Sequence, residues 1–266
     1  MPNHTIFNER PESQDRALKV IEKLGYTIVP RSEAEKKRGS RRAVLFTEEL
    51  QSFLSHQTYQ FGTEERYFSG GSIAKAMQTV NQFSAAGLYA ENKAIYELLC
   101  AGKSMEEDLP DGTRQSFDLS FIDFEHPENN TFQVTDEFEV ERPNGKFARP
   151  DIVILVNGIP LVVIECKKSS VDVMEGVNQN IRNWSEDYIP HLFRYTQLVL
   201  AMNPDKVLYG TCGTPAKYFV SWHEDDKEWL NDWCRKCSPD GQIKEQDRAL
   251  VSLLYPDRLL DLIRNF

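Results

Sequence analysis

The chain has 266 residues, enough for one large or two modest domains with a buried core. Hydrophobic residues make up 40% of it and charged residues 27%, which excludes the disordered, collagen-like and disulfide-dense classes of protein. Its 41 acidic and 31 basic residues give a net charge of −10, and this total argues against a nucleic-acid partner.

We expect neither a signal peptide nor a membrane-spanning segment in this sequence. Residues 1–14, MPNHTIFNERPESQ, lack the apolar core of a signal peptide. No apolar run approaches the ~20 residues that a membrane-spanning helix needs. Five cysteines, an odd number spread thinly along the chain, are typical of a reducing compartment. We therefore expect a soluble, cytoplasmic protein with no membrane association.

The first part of the chain predicts two helices and one charged segment. Residues 12–26, ESQDRALKVIEKLGY, place apolar residues at helical spacing, with Gly25 as a stop. Residues 31–42, RSEAEKKRGSRR, hold six basic and two acidic residues, and we expect a loop or flexible arm there. Such a run is either a solvated surface or an arm that contacts phosphate. Residues 91–102, ENKAIYELLCAG, predict the second helix.

From residue 116 onward, apolar and polar residues alternate. SFDLSFIDF and TFQVTDEFEVE therefore predict strands, the second with one wet, acidic face. RPDIVILVNGIPLVVIECKK then gives two apolar runs separated by Asn157 and Gly158, the strongest hairpin signal in the chain. Runs this continuous are typical of the middle of a covered sheet. A helix over residues 171–184, two strands within residues 197–213 and a closing helix over residues 255–266 follow.

These elements predict an α/β fold with a central mixed β-sheet flanked by helices. We divide the chain into a mainly helical N-terminal region at residues 1–90, a core at residues 91–222 and a C-terminal helical segment at residues 223–266. The hairpin lies at the centre of the predicted sheet. Polar residues at its ends need an explanation, because a buried ionised group is costly unless it is paired or bound to a metal ion.

Three such residues lie at the ends of the hairpin strands. Asp151 opens the first strand, and Glu165 and Lys167 close the second. Two convergent carboxylates suit a hard divalent cation such as Mg²⁺, which takes oxygen ligands. Lys167 lies on the same strand face as Glu165 and can hold a metal-bound water beside a phosphate. The alternative is a structural salt bridge at the edge of the sheet.

The register of the hairpin decides between these alternatives. A strict two-residue turn at Asn157 and Gly158 would pair Asp151 with Ile164 and point it to the face opposite Glu165. A three-residue loop would bring Asp151 directly across from Glu165. We therefore predict a bulge at the turn or beside Asp151. A flat two-residue hairpin would exclude the metal site.

The pattern Pro150-Asp151…Glu165-Cys166-Lys167 resembles the signature of PD-(D/E)xK nucleases. The surrounding sequence resembles, more specifically, the N-terminal nuclease domain of the restriction (motor) subunit of type I restriction-modification enzymes. The segments that carry this resemblance, within residues 91–222, are ENKAIYELLCAG, IDFEHPENNTFQVTDEFEVE, RPDIVILVNGIPLVVIECKK, IPHLFRYTQLVLAMN and VLYGTCGTPAKYFVSW. The resemblance implies a restriction-endonuclease-like core that hydrolyses double-stranded DNA with Mg²⁺.

The resemblance also implies roles for individual residues. Asp151 and Glu165 would bind the metal, with the backbone carbonyl of Cys166 as a further ligand, and Lys167 would position the attacking water. Related nucleases place an acidic residue on an N-terminal helix near the metal, and Glu12 is the candidate here.

The family also carries a Gln-x-x-x-Tyr motif on the helix after this strand. Gln179 matches its first position and is a candidate catalytic residue, whereas Asn183 stands at the tyrosine position, so this chain departs from the motif there. The candidate DNA contacts are Arg149, Lys168 and Arg182.

Members of this family continue into two helicase-like motor domains that use ATP to pull DNA, in complexes with modification and specificity subunits. This chain has no G-x-x-x-x-G-K-[ST] loop, since Glu97 stands where the first glycine before Gly102, Lys103 and Ser104 would be. We therefore expect the nuclease portion of a larger subunit, or a truncated copy, which hydrolyses no ATP alone although the full-length subunit requires ATP.

Two other functions stay open at this point. One is a non-catalytic docking module of the restriction complex, whose nuclease site is inactive in isolation. The other is a zinc-binding module that uses Cys234 and Cys237 with Cys212 and His223, although a strong zinc signal needs two close pairs of ligands.

The negative charge is concentrated in one segment. Residues 106–141 contain twelve acidic residues and one basic residue, so the rest of the chain sums to +1. Arg142, Lys146 and Arg149 lead into Asp151 with no acidic residue among them. The total charge therefore does not exclude DNA as a partner, and we expect weak, salt-sensitive DNA binding by this domain alone.

Overall fold

The computed structural model describes residues 12–83, 86–225 and 227–265. Its helices are α1 (Glu12–Lys23), α2 (Arg31–Arg38), α3 (Thr47–Ser55), α4 (Gly70–Asn81), α5 (Leu88–Ala101), α6 (Val173–Asn183), α7 (Pro190–Phe193), α8 (Glu228–Cys237), α9 (Glu245–Leu254) and α10 (Pro256–Asn265). Its strands are β1 (Thr27–Ile28), β2 (Thr58–Phe61), β3 (Glu64–Tyr67), β4 (Lys103–Asp108), β5 (Arg114–Leu119), β6 (Phe132–Asp136), β7 (Val140–Glu141), β8 (Phe147–Ala148), β9 (Ile152–Val156), β10 (Ile159–Cys166), β11 (Leu198–Asn203), β12 (Lys206–Gly210) and β13 (Val220–Ser221). Within these residues, no helix is both long and apolar enough to cross a membrane.

A mixed sheet of seven strands forms the centre of the fold, in the order β1-β6-β9-β10-β11-β12-β13. β1 is parallel to β6 and β10 is parallel to β11, whereas the other neighbours are antiparallel. α6 packs on β10 and β11, α1 packs on β6, and α9 packs on β12. Every residue of β9, β10 and β11 is buried as a result. The predicted α/β fold with a mixed central sheet flanked by helices is confirmed.

The two ends of the described chain pack together, because α1 contacts both α8 and α9. Arg16 on α1 donates to the two carboxylate oxygens of Asp247 on α9, at 2.8 and 2.6 Å. The hydroxyl of Tyr26 donates to the backbone carbonyl of Leu254 at 2.7 Å. The division into three parts stays a prediction, and its first and last parts are in direct contact.

Four predicted helices are present near their expected bounds. The predictions for residues 12–26, 91–102, 171–184 and 255–266 correspond to α1, α5, α6 and α10. Gly25 follows α1 with a φ of 101°, a conformation that glycine adopts readily and that ends a helix.

The flexible arm predicted for residues 31–42, called the basic run below, is wrong, because α2 occupies most of it. Arg31 and Arg41 both form ion pairs with Glu139, each at 2.8 Å. Arg38 is buried and donates to the backbone carbonyl of Glu139 at 2.9 Å. The basic run therefore packs partly on the acidic segment of residues 106–141 and is not a free arm, although seven of its twelve residues, Arg41 and Arg42 among them, are exposed to solvent.

The wet, acidic face predicted for residues 131–141 is also wrong, although strands are present there as β6 and β7. β6 ends at Asp136, and Gln133 to Asp136 are buried in the interior of the sheet, where α1 and α2 contact the strand. The backbone of Glu137 has a φ of 51°, which interrupts the extended conformation. Glu139 and Glu141 lie beyond this point and pair with arginines of the basic run.

Candidate functional site

The hairpin of β9 and β10 turns through Asn157 and Gly158, whose φ angles of 50° and 78° are typical of a type I′ turn. Val156 pairs with Ile159, so the turn has two residues and the predicted three-residue loop is wrong. A Cβ atom on Gly158 would lie 2.3 Å from the backbone oxygen of Phe46, so only glycine fits at this position.

A β-bulge at Leu161 sets the register of the hairpin. The pairing shifts there by one residue, two residue pairs beyond the turn. The bulge therefore lies neither at the turn nor beside Asp151, and its predicted position is wrong. Continuing the observed pairing beyond β9 places Asp151 opposite Glu165 on one face of the sheet. Asp151 and Glu165 therefore share a face of the sheet, which a two-residue hairpin without a bulge would not allow.

Asp151 and Glu165 form a pair of facing carboxylates, called the carboxylate pair below. Asp151 Oδ2 accepts a hydrogen bond from the backbone N–H of Cys166 at 2.7 Å. Glu165 is fully buried, and its Oε1 accepts a hydrogen bond from Asn183 Nδ2 at 3.1 Å. Its Oε2 is also buried and receives no hydrogen bond from any residue that the structure describes.

Burial raises the pKa of both carboxyl groups. The pKa of Glu165 is well above its ordinary value, first because of burial and then because of the negative charge of Asp151. For Asp151, burial outweighs the hydrogen bond from Cys166 and the positive charge of Lys167, so its pKa is also raised. Two facing carboxylates with little access to water are unfavourable together unless a cation or a shared proton joins them. Glu165 lies opposite Asp151 and keeps one buried oxygen without a hydrogen bond, and this arrangement fits a small divalent cation that takes oxygen ligands.

Helix α6 brings a further polar side chain to the end of β10. Gly176 lets the helix approach the sheet closely, since a Cβ atom there would lie 3.1 Å from the Cβ of Ala201. Three residues later, Gln179 Oε1 accepts a hydrogen bond from Lys167 Nζ at 2.7 Å. The predicted candidates Lys167 and Gln179 are therefore in direct contact.

A cavity of about 710 Å³ lies over these strand ends. Its lining includes Asp151, Lys167, Lys168, Gln179 and Arg182. One opening thus combines a carboxylate that can bind a cation with lysine and arginine side chains. Such a combination favours an anionic ligand held partly through a cation.

The three predicted DNA contacts have different surroundings. Arg182 lines the cavity, and its guanidinium lies 5.3 Å from the centre of the Tyr188 ring. Lys168 lines the same cavity. Arg149 forms an ion pair with Glu137 at 2.6 Å, so its charge already has an acidic partner.

The structure does not show the predicted acidic partner, Glu12, in contact with the carboxylate pair. Glu12 forms an ion pair with Lys244 at 3.2 Å, and 76% of its side chain is exposed. Gln14 instead donates from Nε2 to the backbone carbonyl of Asp151 at 3.0 Å. Sequence reasoning missed this residue, although its signal is visible, since Gln14 lies one helical turn before Leu18 on the buried face of α1.

Asn183 is the second residue that sequence reasoning missed. It occupies the tyrosine position of the family motif, and its amide donates to Glu165. The signal in the sequence is its spacing of four residues from Gln179, which places both side chains on one side of α6.

The zinc alternative finds no support in the part of the chain that the structure describes. Cys234 and Cys237 lie one turn apart on α8 and are both buried in the hydrophobic core. Among the described side chains, no three or more His, Cys, Asp or Glu residues are grouped so that they could hold a metal ion. The magnesium prediction uses two carboxylates and the backbone carbonyl of Cys166, and it stays a prediction.

Comparisons with known protein families and with individual proteins all match this chain to type I restriction enzymes. Residues 6–218 match the family described as type I restriction enzyme R protein N terminus. The type I restriction enzyme HindI endonuclease subunit of Haemophilus influenzae is 27% identical over 98% of this chain and 24% of its own length. The SauCOLORF180P endonuclease subunit of Staphylococcus aureus is 33% identical over 71% of the chain and 19% of its own length.

The match to the first of these relatives covers almost all of the chain but only about a quarter of the relative. The family match includes the whole hairpin, the carboxylate pair and α6. This chain therefore belongs to the family of type I restriction enzyme R protein N termini, and it corresponds to the N-terminal region of an endonuclease subunit.

Proposed function

We propose that this chain is a nuclease domain of the PD-(D/E)xK type, which hydrolyses phosphodiester bonds of double-stranded DNA with Mg²⁺. The observation that carries the proposal is the bulge at Leu161, because it turns Asp151 to the face that holds Glu165. A structural salt bridge would need only one carboxylate beside Lys167, whereas the fully buried Glu165 lies opposite a second, partly buried carboxylate here, that of Asp151. The relatives are named endonuclease subunits, which supports the reaction class.

The residues of the site have separate roles in this proposal. Asp151 and Glu165 hold Mg²⁺, with the backbone carbonyl of Cys166 as a further ligand. When bound, the cation supplies positive charge against the scissile phosphate and acidifies a coordinated water. Lys167 orients the attacking water, and Gln179 fixes Lys167 through the hydrogen bond between them.

The overall reaction is hydrolysis. The oxygen of one water forms a bond to phosphorus, the bond between phosphorus and O3′ breaks, and a proton from the water goes to the leaving O3′. The products are a 3′-hydroxyl and a 5′-phosphate. The side chains of the site orient the water and the phosphate, and holding the two reactants in this geometry lowers the barrier to reaction.

The cavity also suggests how DNA is held. Arg182 and Lys168 line it beside the carboxylate pair and would contact phosphates. Arg149 is the weaker candidate, because Glu137 already pairs with it. Only a few lysine and arginine side chains are placed to contact the phosphate backbone of DNA. We therefore expect DNA binding by this domain alone to be weak and salt-sensitive.

The proposal extends to the assembly. The chain spans about a quarter of the length of its HindI relative, so a larger R subunit would supply motor domains that consume ATP. Modification and specificity subunits would choose the DNA. We place this assembly in the cytoplasm.

The first prediction tests the nuclease activity directly. The purified chain, incubated with supercoiled plasmid and Mg²⁺, is expected to produce nicked circles. Asp151→Ala is expected to abolish nicking, because it removes one of the two carboxylates. Asp108→Ala is the matched control, since Asp108 lies in the β4–β5 hairpin with 77% of its side chain exposed. Agarose gel electrophoresis over time measures both rates.

Nicking by Asp151→Ala at the rate of the unchanged chain would contradict the proposal. Absence of nicking from every protein, with the fold intact by circular dichroism, would favour the docking module instead.

A further inference from the structure

Asn183 is the one side chain that donates a hydrogen bond to Glu165 among the described residues. Its Nδ2 lies 3.1 Å from Glu165 Oε1, and its side chain is buried like that of Glu165. A carboxylate oxygen only accepts, so the amide must present its NH₂ group to it. The contact therefore fixes which end of the Asn183 amide faces the carboxylate pair.

The backbone around Asn183 is held firmly in place. Asn183 is the last residue of α6, and its backbone carbonyl accepts a hydrogen bond from the N–H of Ile189 at 2.9 Å. The next residue, Trp184, packs its ring edge-on against Phe193 at 5.7 Å between ring centres. On the other side, Gly176 keeps α6 close to the sheet. The amide thus reaches Glu165 from a rigid position.

We propose that Asn183 is a positioning residue for metal binding: its amide holds Oε1 of Glu165, so that Oε2 stays turned toward Asp151 and the cation. This inference rests on the proposed function and adds a residue to it. Without the donor, the buried glutamate could rotate about its side-chain bonds, and the two carboxylates would lose the fixed separation that a small cation requires.

The chain offers a matched control for this inference. Asn180 lies on the same helix, is also fully buried, and donates from Nδ2 to a backbone carbonyl, that of Leu200, at 3.0 Å. Asn180→Leu therefore removes a buried amide from α6 without touching Glu165. Asn183→Leu removes an amide of the same size that does touch it.

The experiment is a titration of each protein with Mn²⁺ alone, in which electron paramagnetic resonance measures the free ion. We expect Asn183→Leu to weaken Mn²⁺ binding by about tenfold or more, as loss of a residue that orients a metal ligand typically does. Asn180→Leu is expected to bind Mn²⁺ within about twofold of the unchanged chain, even where its melting temperature falls. Asn183→Ala serves as a second variant where Asn183→Leu does not fold.

The outcomes separate this inference from the proposed function. Asp151→Asn is included because it removes a ligand of the site. Mn²⁺ binding lost in Asp151→Asn but unchanged in both folded Asn183 variants would overturn the role of Asn183 and leave the metal site standing. Binding unchanged in Asp151→Asn would overturn the metal site itself. Equal weakening in Asn180→Leu and Asn183→Leu would also overturn the inference, since it would reduce Asn183 to a packing residue.

Discussion

His191, in the short helix α7, is a half-buried histidine with an unsatisfied ring nitrogen. Its Nε2 is buried and bonds to no residue in the described ranges. Burial, together with the positive charges of Arg194 and Arg42, lowers the pKa of His191 to about 4. Since a histidine in an unfolded chain has a pKa of about 6.5, the unfolded chain binds the proton first as the pH falls.

The second prediction follows from this difference in pKa. The stabilisation from a neutral His191 is complete above pH ~6.5 and is lost progressively as the pH falls toward 4. Between pH 7.5 and 5, His191→Gln should lose about 2 kcal/mol less unfolding free energy than the unchanged chain. Urea denaturation at each pH measures this, with His56→Gln as the control for loss of an exposed histidine. Parallel pH profiles for His191→Gln and the unchanged chain would contradict it.

At the level of residues, several side chains of the candidate site could be predicted from the sequence, but the contacts that hold them in place could not. Asp151, Glu165 and Lys167 were predictable because an ionised group at the end of a buried strand is costly unless it is paired or bound to a metal ion. The contacts of Gln14 and Asn183 were not, because each depends on how a helix packs over the sheet. Glu12 was chosen for its charge, and it pairs with Lys244 instead.

At the level of elements, the turn of the β9–β10 hairpin is buried against its neighbours. The backbone oxygen of Gly158 accepts a hydrogen bond from the N–H of Phe46 at 2.9 Å, which draws the two backbones together. The turn and the bulge at Leu161 jointly determine which residues face each other at the far end of the hairpin.

The third prediction concerns Gly158. Gly158→Ala adds a Cβ atom 2.3 Å from the Phe46 oxygen, on a residue whose φ is 78°. Gly112→Ala is the matched control, since Gly112 has a φ of 83° and nothing within 4 Å of an added Cβ. We expect about 1 kcal/mol of lost unfolding free energy at Gly112, from backbone strain alone, and at least about 2 kcal/mol more at Gly158. Equal losses of unfolding free energy in the two variants, measured by urea denaturation, would show that the backbone at Phe46 moves away from the added Cβ atom at little cost.

The elements that the sequence predicted correctly were those with strong periodicity. The helices at α1, α5, α6 and α10 and the hairpin had clear apolar patterns and stops. α2 was missed because the contacts that hold it in place, from Arg31 and Arg38 to Glu139, come from far along the chain. β6 was misinterpreted because its polar residues, Gln133 and Thr135, are buried by neighbouring strands and helices that no local pattern reveals.

At the level of the whole molecule, opposite charges that are distant in sequence neutralise each other. Arg31 and Arg41 pair with Glu139, and Arg42 pairs with Glu141 at 3.0 Å. Glu139, Glu141 and the arginines that pair with them therefore contribute little field at the cavity. Charge near the carboxylate pair, and not the total of −10, governs the approach of an anionic substrate.

A buried ion pair joins the two ends of the described chain. Arg16 is 7% exposed and Asp247 is fully buried, with their charged groups 2.6 Å apart. Asp240 accepts a further bond from Arg16 at 2.7 Å. Asp247 also accepts from the backbone N–H of Lys244 at 2.9 Å, which caps the start of α9. Because α1 carries Gln14, this pair also sets the position of a residue that contacts Asp151.

The last prediction tests whether the buried charge or the packing of α1 carries this stability. Arg16→Met leaves Asp247 ionised and buried without its partner, and should cost about 3–5 kcal/mol of unfolding free energy. Adding Asp247→Asn removes that charge but keeps an oxygen for the cap, so the double variant should regain about 2 kcal/mol. Urea denaturation at pH 7 measures all three proteins. A double variant no more stable than Arg16→Met would mean that the guanidinium holds α1 to α9 through its several hydrogen bonds, and that the unpaired carboxylate costs little.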